Sequence, residues 1–257
     1  MKQLREELPY VPGFYIDAAK NRIEFTSYKG IGFLVRDDTG KAAGIQIRRD
    51  TVKEGESRYV WFSSSFALTS PTCEGGASPG APGGVVFPKD IADVAGASLC
   101  ITEGRFKAEQ IAKKGNIGIY VSGVSTWKKV LPIIDRLKGE RDKVFVMFDA
   151  DMMGNTAVHS QFQEICAELQ RHSLKPNIVA WPIAEGKGFD DLVLRQGRSY
   201  KEHLRCIPFL KFEPRWQKVL EQELAEAGVG RIRDIPEKER AEFNASMQEA
   251  VEKMLFS

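Results

Sequence analysis

Between residues 98 and 181 short, mostly apolar segments alternate with stretches whose apolar residues recur at helical spacing, and few folds accommodate that pattern. The apolar segments are residues 98–102, 117–121, 144–148 and 177–181, each the length of a strand. Between them, residues 106–114, 125–137 and 154–172 read as helices. The second carries Trp127, Val130, Leu131, Ile134 and Leu137 on one face, and the third carries Val158, Phe162, Ile165 and Leu169. A strand without polar alternation must be covered on both faces, which predicts an α/β fold: a parallel sheet with helices on either side.

The flanks read differently. Residues 22–62 alternate short apolar runs with turns such as Asp37-Asp38-Thr39-Gly40, the signature of a small antiparallel sheet, with Ile45 and Ile47 inward and Gln46, Arg48 and Arg49 near the outer side. Residues 63–84 are rich in Ser, Gly and Pro and read as a loop or joint without the Gly-Lys-Ser/Thr ending of a P-loop. Residues 200–206, 214–227 and 236–255 read as helices, the last two a packing module or docking surface. The expected division is 1–84 for a β-rich unit, 85–198 for the parallel sheet and 199–257 for a helical module.

Composition narrows the function classes. Thirty-seven basic residues against 35 acidic ones leave a formal charge of +2, too little to announce a nucleic-acid binder without local patches. No apolar run approaches the ~20 residues that span a bilayer, and the N-terminal residues mix both charge signs without an apolar signal core, so no membrane association and a cytoplasmic location are expected. Cys73, Cys100, Cys166 and Cys206 form no Cys-x-x-Cys pair and only three His accompany them, which argues against structural zinc and a disulfide framework.

In an open parallel sheet the working residues gather at the carboxyl ends of the strands. Three acidic sites fall there: Glu103-Gly104, Asp149-Ala150-Asp151, and Asp190-Asp191 in the loop after the fourth strand. Carboxylates at i and i+2 on extended backbone project to the same side and can share a hard cation such as Mg²⁺ or Mn²⁺. Each site alone has a plainer reading as a turn or helix cap. Together, each after a buried strand, they predict a metal site formed by Glu103, Asp149, Asp151, Asp190 and Asp191.

Glu103-Gly104 followed by Phe148-Asp149-Ala150-Asp151 and Gly154 resembles the Toprim domain of bacterial DnaG-type primases, topoisomerases and related nucleases. Residues 30–50, including Gly32-Phe33-Leu34-Val35-Arg36-Asp37 and Gly44-Ile45-Gln46-Ile47-Arg48-Arg49, look like the small sheet that precedes Toprim in primase catalytic cores. A closer likeness is to the Toprim-like domain of mobile-element and phage replication proteins, through the Gly/Ser/Pro loop, Thr102-Glu103-Gly104, Lys107 and Lys187-Gly188-Phe189-Asp190-Asp191. The likeness spans about residues 28–195. Two departures stand out: Lys107 occupies a position that is acidic in standard primases, and no zinc ribbon or helicase P-loop accompanies the core.

The resemblance implies metal-dependent nucleotidyl transfer, with primer synthesis from nucleoside triphosphates on single-stranded DNA as the leading reading. Glu103, Asp149 and Asp151 would then be catalytic, Mg²⁺ or Mn²⁺ the cofactor, and Arg48, Arg49, Arg105, Lys107 and Lys187 the groups that meet nucleotide or nucleic acid. A replicative helicase or another replication protein is the partner this reading leaves open. A Toprim nuclease and a non-catalytic DNA-binding or scaffolding module are the alternatives. A haloacid-dehalogenase-type phosphatase needs its Asp-x-Asp on the first strand, and a topoisomerase needs a further large domain.

Overall fold

The structure, a computed structural model, describes residues 6–257 apart from the side chains of residues 91–93. The first five residues, part of the stretch read above for its lack of a signal core, lie outside the described residues. The chain forms two compact units, Met1–Gly84 and Val85–Ser257.

The first unit holds two three-stranded antiparallel sheets. Strands β1 (Phe14–Asp17) and β2 (Arg22–Phe25) pair, and β1 also pairs with the short β6 (Cys73–Glu74). The second sheet runs β3 (Gly30–Arg36), β4 (Ala42–Arg49), β5 (Tyr59–Trp61). Residues 63–84 are more ordered than their composition suggests, containing a 3₁₀ turn at Ser65–Leu68 as well as β6. Buried Ser64 explains part of this: its N–H donates to the Ala77 carbonyl at 2.9 Å, and its hydroxyl accepts from the Ala77 N–H at 3.0 Å. A small polar side chain thus pins two distant points of a glycine-rich segment.

In the second unit a six-stranded sheet has the order β12-β11-β10-β8-β9-β7. Its strands are β7 (Gly84–Val86), β8 (Leu99–Glu103), β9 (Ile117–Val121), β10 (Lys143–Met147), β11 (Lys175–Ala180) and β12 (Arg205–Pro208). The four central strands are parallel, as the apolar runs require. The helices are α1 (Ile91–Gly96), α2 (Arg105–Lys113), α3 (Leu131–Leu137), α4 (Thr156–Arg171), α5 (Phe189–Gln196), α6 (Phe209–Glu226) and α7 (Arg240–Phe256). This α/β architecture, with small antiparallel sheets before it and helices after it, is the one expected.

Three local readings are corrected. Residues 125–137 are not one helix: a 3₁₀ stretch, Val124–Val130, precedes α3, and Pro132 sits in the first turn of α3, where its missing N–H costs nothing. Residues 200–206 are not helical throughout; the chain leaves a 3₁₀ turn at Leu204 and enters β12, antiparallel to β11. Helix α6 begins at Phe209, so Pro214 lies inside it at the cost of one backbone hydrogen bond.

One core runs through the sheet and the C-terminal helices. Ile101, Val146 and Ile178 from the strands, Phe162 and Leu169 from α4, Phe212 and Trp216 from α6, and Met247 and Val251 from α7 belong to the same buried cluster. Full burial of each large apolar side chain contributes about 1.5–3 kcal/mol, so α6 and α7 are part of what stabilises the sheet. Among the described residues, no helix is long and apolar enough to cross a membrane.

Candidate active site

The sheet register carries Glu103 and Asp149 to neighbouring strand ends. Thr102 is paired with Met147, and its buried hydroxyl donates to the Met147 carbonyl at 2.8 Å, so the two strands leave the sheet together. Glu103 ends β8, and Gly104, at φ +81°, turns the chain into α2. Asp149 follows Phe148 and opens a 3₁₀ turn, Ala150–Met153. The third loop is fastened to this turn by the Ala150 N–H, which donates to the Lys187 carbonyl at 2.8 Å.

Glu103, Asp149 and Asp151 lie within electrostatic reach of one another. Burial pushes the Glu103 carboxyl above its ordinary range; Lys107 and Lys187 pull it back, while Asp149 and Asp151 push it up. Asp149 is likewise raised by burial, against the pull of Lys107. Glu103 is half-buried.

Two ammonium groups occupy the acidic centre. Lys107 Nζ lies 2.5 Å from Asp149 Oδ1, and Lys187 Nζ lies 2.7 Å from Asp151 Oδ2. The Lys107 ammonium is thus the near neighbour of a buried carboxylate oxygen. Asp151 holds the Lys187 ammonium firmly protonated, its pKa raised above the usual range. Among the described residues no three His, Cys, Asp or Glu side chains are gathered into a ready metal cage. The donor chemistry nonetheless fits a hard divalent cation: three neighbouring carboxylates carry more negative charge than the two lysines offset.

The remaining expected residues separate. Asp190 and Asp191 stand in the first turn of α5, not in a loop, and Asp191 Oδ2 accepts from the Gly188 N–H at 3.1 Å, a helix-capping role. Asp190 lies beside Gly188. Arg105 pairs with Glu109 at 2.7 Å. Arg49 is tied to the Ser57 carbonyl and to Glu56 at 2.9 Å, whereas Arg48 has no carboxylate partner among the described residues. Register places Arg48 in one cross-strand row with exposed Ile31 and Tyr59, and Gln46 in the next with Phe33 and Trp61.

The Asp-x-Asp turn has a second set of supports. Gln248 of α7, buried, accepts from the Gly154 N–H at 2.8 Å and donates to the Ala150 carbonyl at 3.1 Å, bracketing Asp151 with one amide. A side chain at 154 would strike the Asn244 carbonyl, so α7 can approach only a glycine there. Trp216 of α6 donates from Nε1 to the Met153 carbonyl at 2.8 Å and stacks on buried His159 with ring centroids 3.4 Å apart. His159 Nε2 in turn meets Glu213 at 3.0 Å. A buried Gln in an otherwise apolar helical stripe was the one available signal for Gln248; nothing local connects it to a turn 94 residues away.

Comparison with known proteins adds the following. The model of a domain of unknown function, DUF3854, matches residues 87–200. No curated protein matches. Among solved structures, the chain is similar to the Aquifex aeolicus primase with its zinc-binding and RNA polymerase domains, at TM-score 0.54 and 14% identity, over 97% of this chain and 61% of that one. It is also similar to a DNA primase domain from Pseudomonas aeruginosa, at TM-score 0.56 and 14% identity, over 98% and 77% of the two chains. A third similar structure is the RNA polymerase domain of Mycobacterium tuberculosis primase DnaG in complex with a double-stranded DNA oligomer with a 6-nucleotide overhang, at TM-score 0.54 and 18% identity, over 96% and 77%. The chain thus spans 61% of the length of the Aquifex protein. At these identities the likeness is one of architecture, and the architecture is that of a DnaG-type primase catalytic core.

Proposed function

We propose that this protein is a metal-dependent nucleotidyl transferase that makes primers from nucleoside triphosphates on single-stranded DNA, in the replication of a phage, plasmid or other mobile element. The observation that carries this reading is the mutual coupling of Glu103, Asp149 and Asp151 at adjacent strand ends of a primase-core fold. Asp149 and Asp151 would hold Mg²⁺ or Mn²⁺, which when bound offsets charge on the triphosphate. Glu103, whose carboxyl burial makes a better proton acceptor, would take the proton of the attacking 3′-hydroxyl. Asp190 serves the outer shell better than Asp191, which caps α5. Lys187, largely exposed, is suited to meet a phosphate, and Arg105 would have to leave Glu109 to do so.

For the template we propose the outer face of β3–β5. Arg48 supplies a cation beside Tyr59, and exposed aromatic faces next to unpaired cations suit single-stranded nucleic acid. Arg49, engaged by Ser57 and Glu56, plays the lesser part. The complex of the similar Mycobacterium tuberculosis domain with overhang DNA is in keeping with such a partner. Template and triphosphates locate the proposed activity in the cytoplasm, where a replicative helicase is the natural associate.

A second reading, a non-catalytic DNA-binding module, draws on the lysine pairing of Asp149 and Asp151. Labelled triphosphates incubated with single-stranded DNA and Mn²⁺ decide among the readings. Short new oligonucleotides, abolished by Asp149→Asn, are expected. Shortening of the DNA instead would identify a nuclease, and neither product would leave the binding module.

A further inference from the structure

The two lysines at the acidic centre are not equivalent. Lys187 is 61% exposed and its partner Asp151 39%, a surface pair that water screens and that contributes little. Lys107 and Asp149 are only 17% and 16% exposed, so their attraction persists and neither charge can leave without exposing the other to a poor solvent. The lysine stem runs close past Gly188: a Cβ there would lie 2.3 Å from Asp190 Oδ1 and 2.7 Å from Lys107 Cε. Its ammonium lies 2.5 Å from Asp149 Oδ1, a short and largely buried ion pair. Such an arrangement puts a positive charge against Asp149, where a bound cation would sit.

We propose that Lys107 is a tethered cation that occupies the Asp149 side of the centre and must be displaced for a divalent ion to enter. Lys107 is thus a positioning residue that sets the affinity of the centre for metal. The inference rests on the metal-centre reading above.

Calorimetric titration of Mn²⁺ into the metal-free full chain tests it, with Lys107→Met and Lys187→Met compared against wild type. Both substitutions remove one positive charge, and because water screens the exposed Lys187, the comparison reads whether the buried Lys107 ammonium is the one that competes with the ion. Displacement predicts at least about a tenfold gain for Lys107→Met and less than about threefold for Lys187→Met, together with a lower metal-free Tm in Lys107→Met that Mn²⁺ restores. Lys107→Gln, which removes the charge and keeps a polar side chain, should shift affinity in the same direction as Lys107→Met and covers the case in which that variant does not fold. Equal affinities in the two lysine variants, with wild type binding Mn²⁺, overturn this inference and leave the metal centre standing. Absence of Mn²⁺ binding in wild type and in every variant removes both.

Discussion

The turn carrying Asp149 and Asp151 has two unlike sides. Its front presents Asp149 beside Glu103, two carboxyls that burial and neighbouring acids push toward protonation, offset in part by Lys107 and Lys187. On its back Gln248 holds the backbone at Ala150 and Gly154, and Trp216, stacked on His159, holds the Met153 carbonyl. The back therefore bears the stability of the turn and leaves the front unsatisfied, the condition under which a cation has something to gain by binding.

The contrast breaks first, if at all, at Trp216. Trp216→Ala empties a buried site and orphans the Met153 carbonyl, and chemical denaturation should register a loss of about 3–5 kcal/mol. Gln248→Leu leaves the Gly154 N–H and the Ala150 carbonyl unpaired inside the protein; about 2 kcal/mol of stability should go, with weaker Mn²⁺ uptake. An undiminished Mn²⁺ affinity in that variant would mean the back does not position the front.

The back also has a pH signature. Burial holds the His159 imidazole below its ordinary pKa of 6.5, against the pull of the Glu213 carboxylate. Burial in turn pushes Glu213 up, and its hydrogen bonds from His159, Gln217 and Gln163 more than compensate. An unfolded chain takes up the His159 proton as pH drops past 6.5 while the native state resists it, so stability present above that pH is lost below it. Glu103 and Asp149, raised in the native state, act oppositely, gaining stability as they protonate at lower pH. Tm should decline between pH 7.5 and 5.5 in wild type and decline less in His159→Phe.

The smallest effect on folding and one of the largest on activity belongs to the front. Glu103→Gln removes a charge that burial disfavours, so its Tm should equal or slightly exceed that of wild type, while primer synthesis falls about 10²- to 10⁴-fold. A marked fall in Tm would show that Glu103 is a structural member of the turn.

How far the sequence revealed this division depends on the range of the interactions. The apolar run Val144, Phe145, Val146, Met147 announces a covered strand by itself, and Glu103 and Asp149 are seen at strand ends because strand and acid are adjacent in the chain. Pairings between distant side chains leave no such mark. Nothing near Lys107 in the chain announces its contact with Asp149, 42 positions away; the register of β8 with β10 brings them together. Asp190 and Asp191 look identical in sequence until the start of α5 turns one of them back on the Gly188 N–H. The short β12 was read as helix because four residues carry too little periodicity, and its pairing with β11 overrides local preference.

The central claim is that Asp149 and Asp151 together hold a divalent ion at the front of this turn. Electron paramagnetic resonance of Mn²⁺ measures it directly, since the six-line signal of the free ion diminishes as protein binds it. Wild type should extinguish that signal in proportion to the protein added, and Asp149→Asn combined with Asp151→Asn should leave it at full strength. Equal loss of signal with both chains, or none with either, would contradict the account.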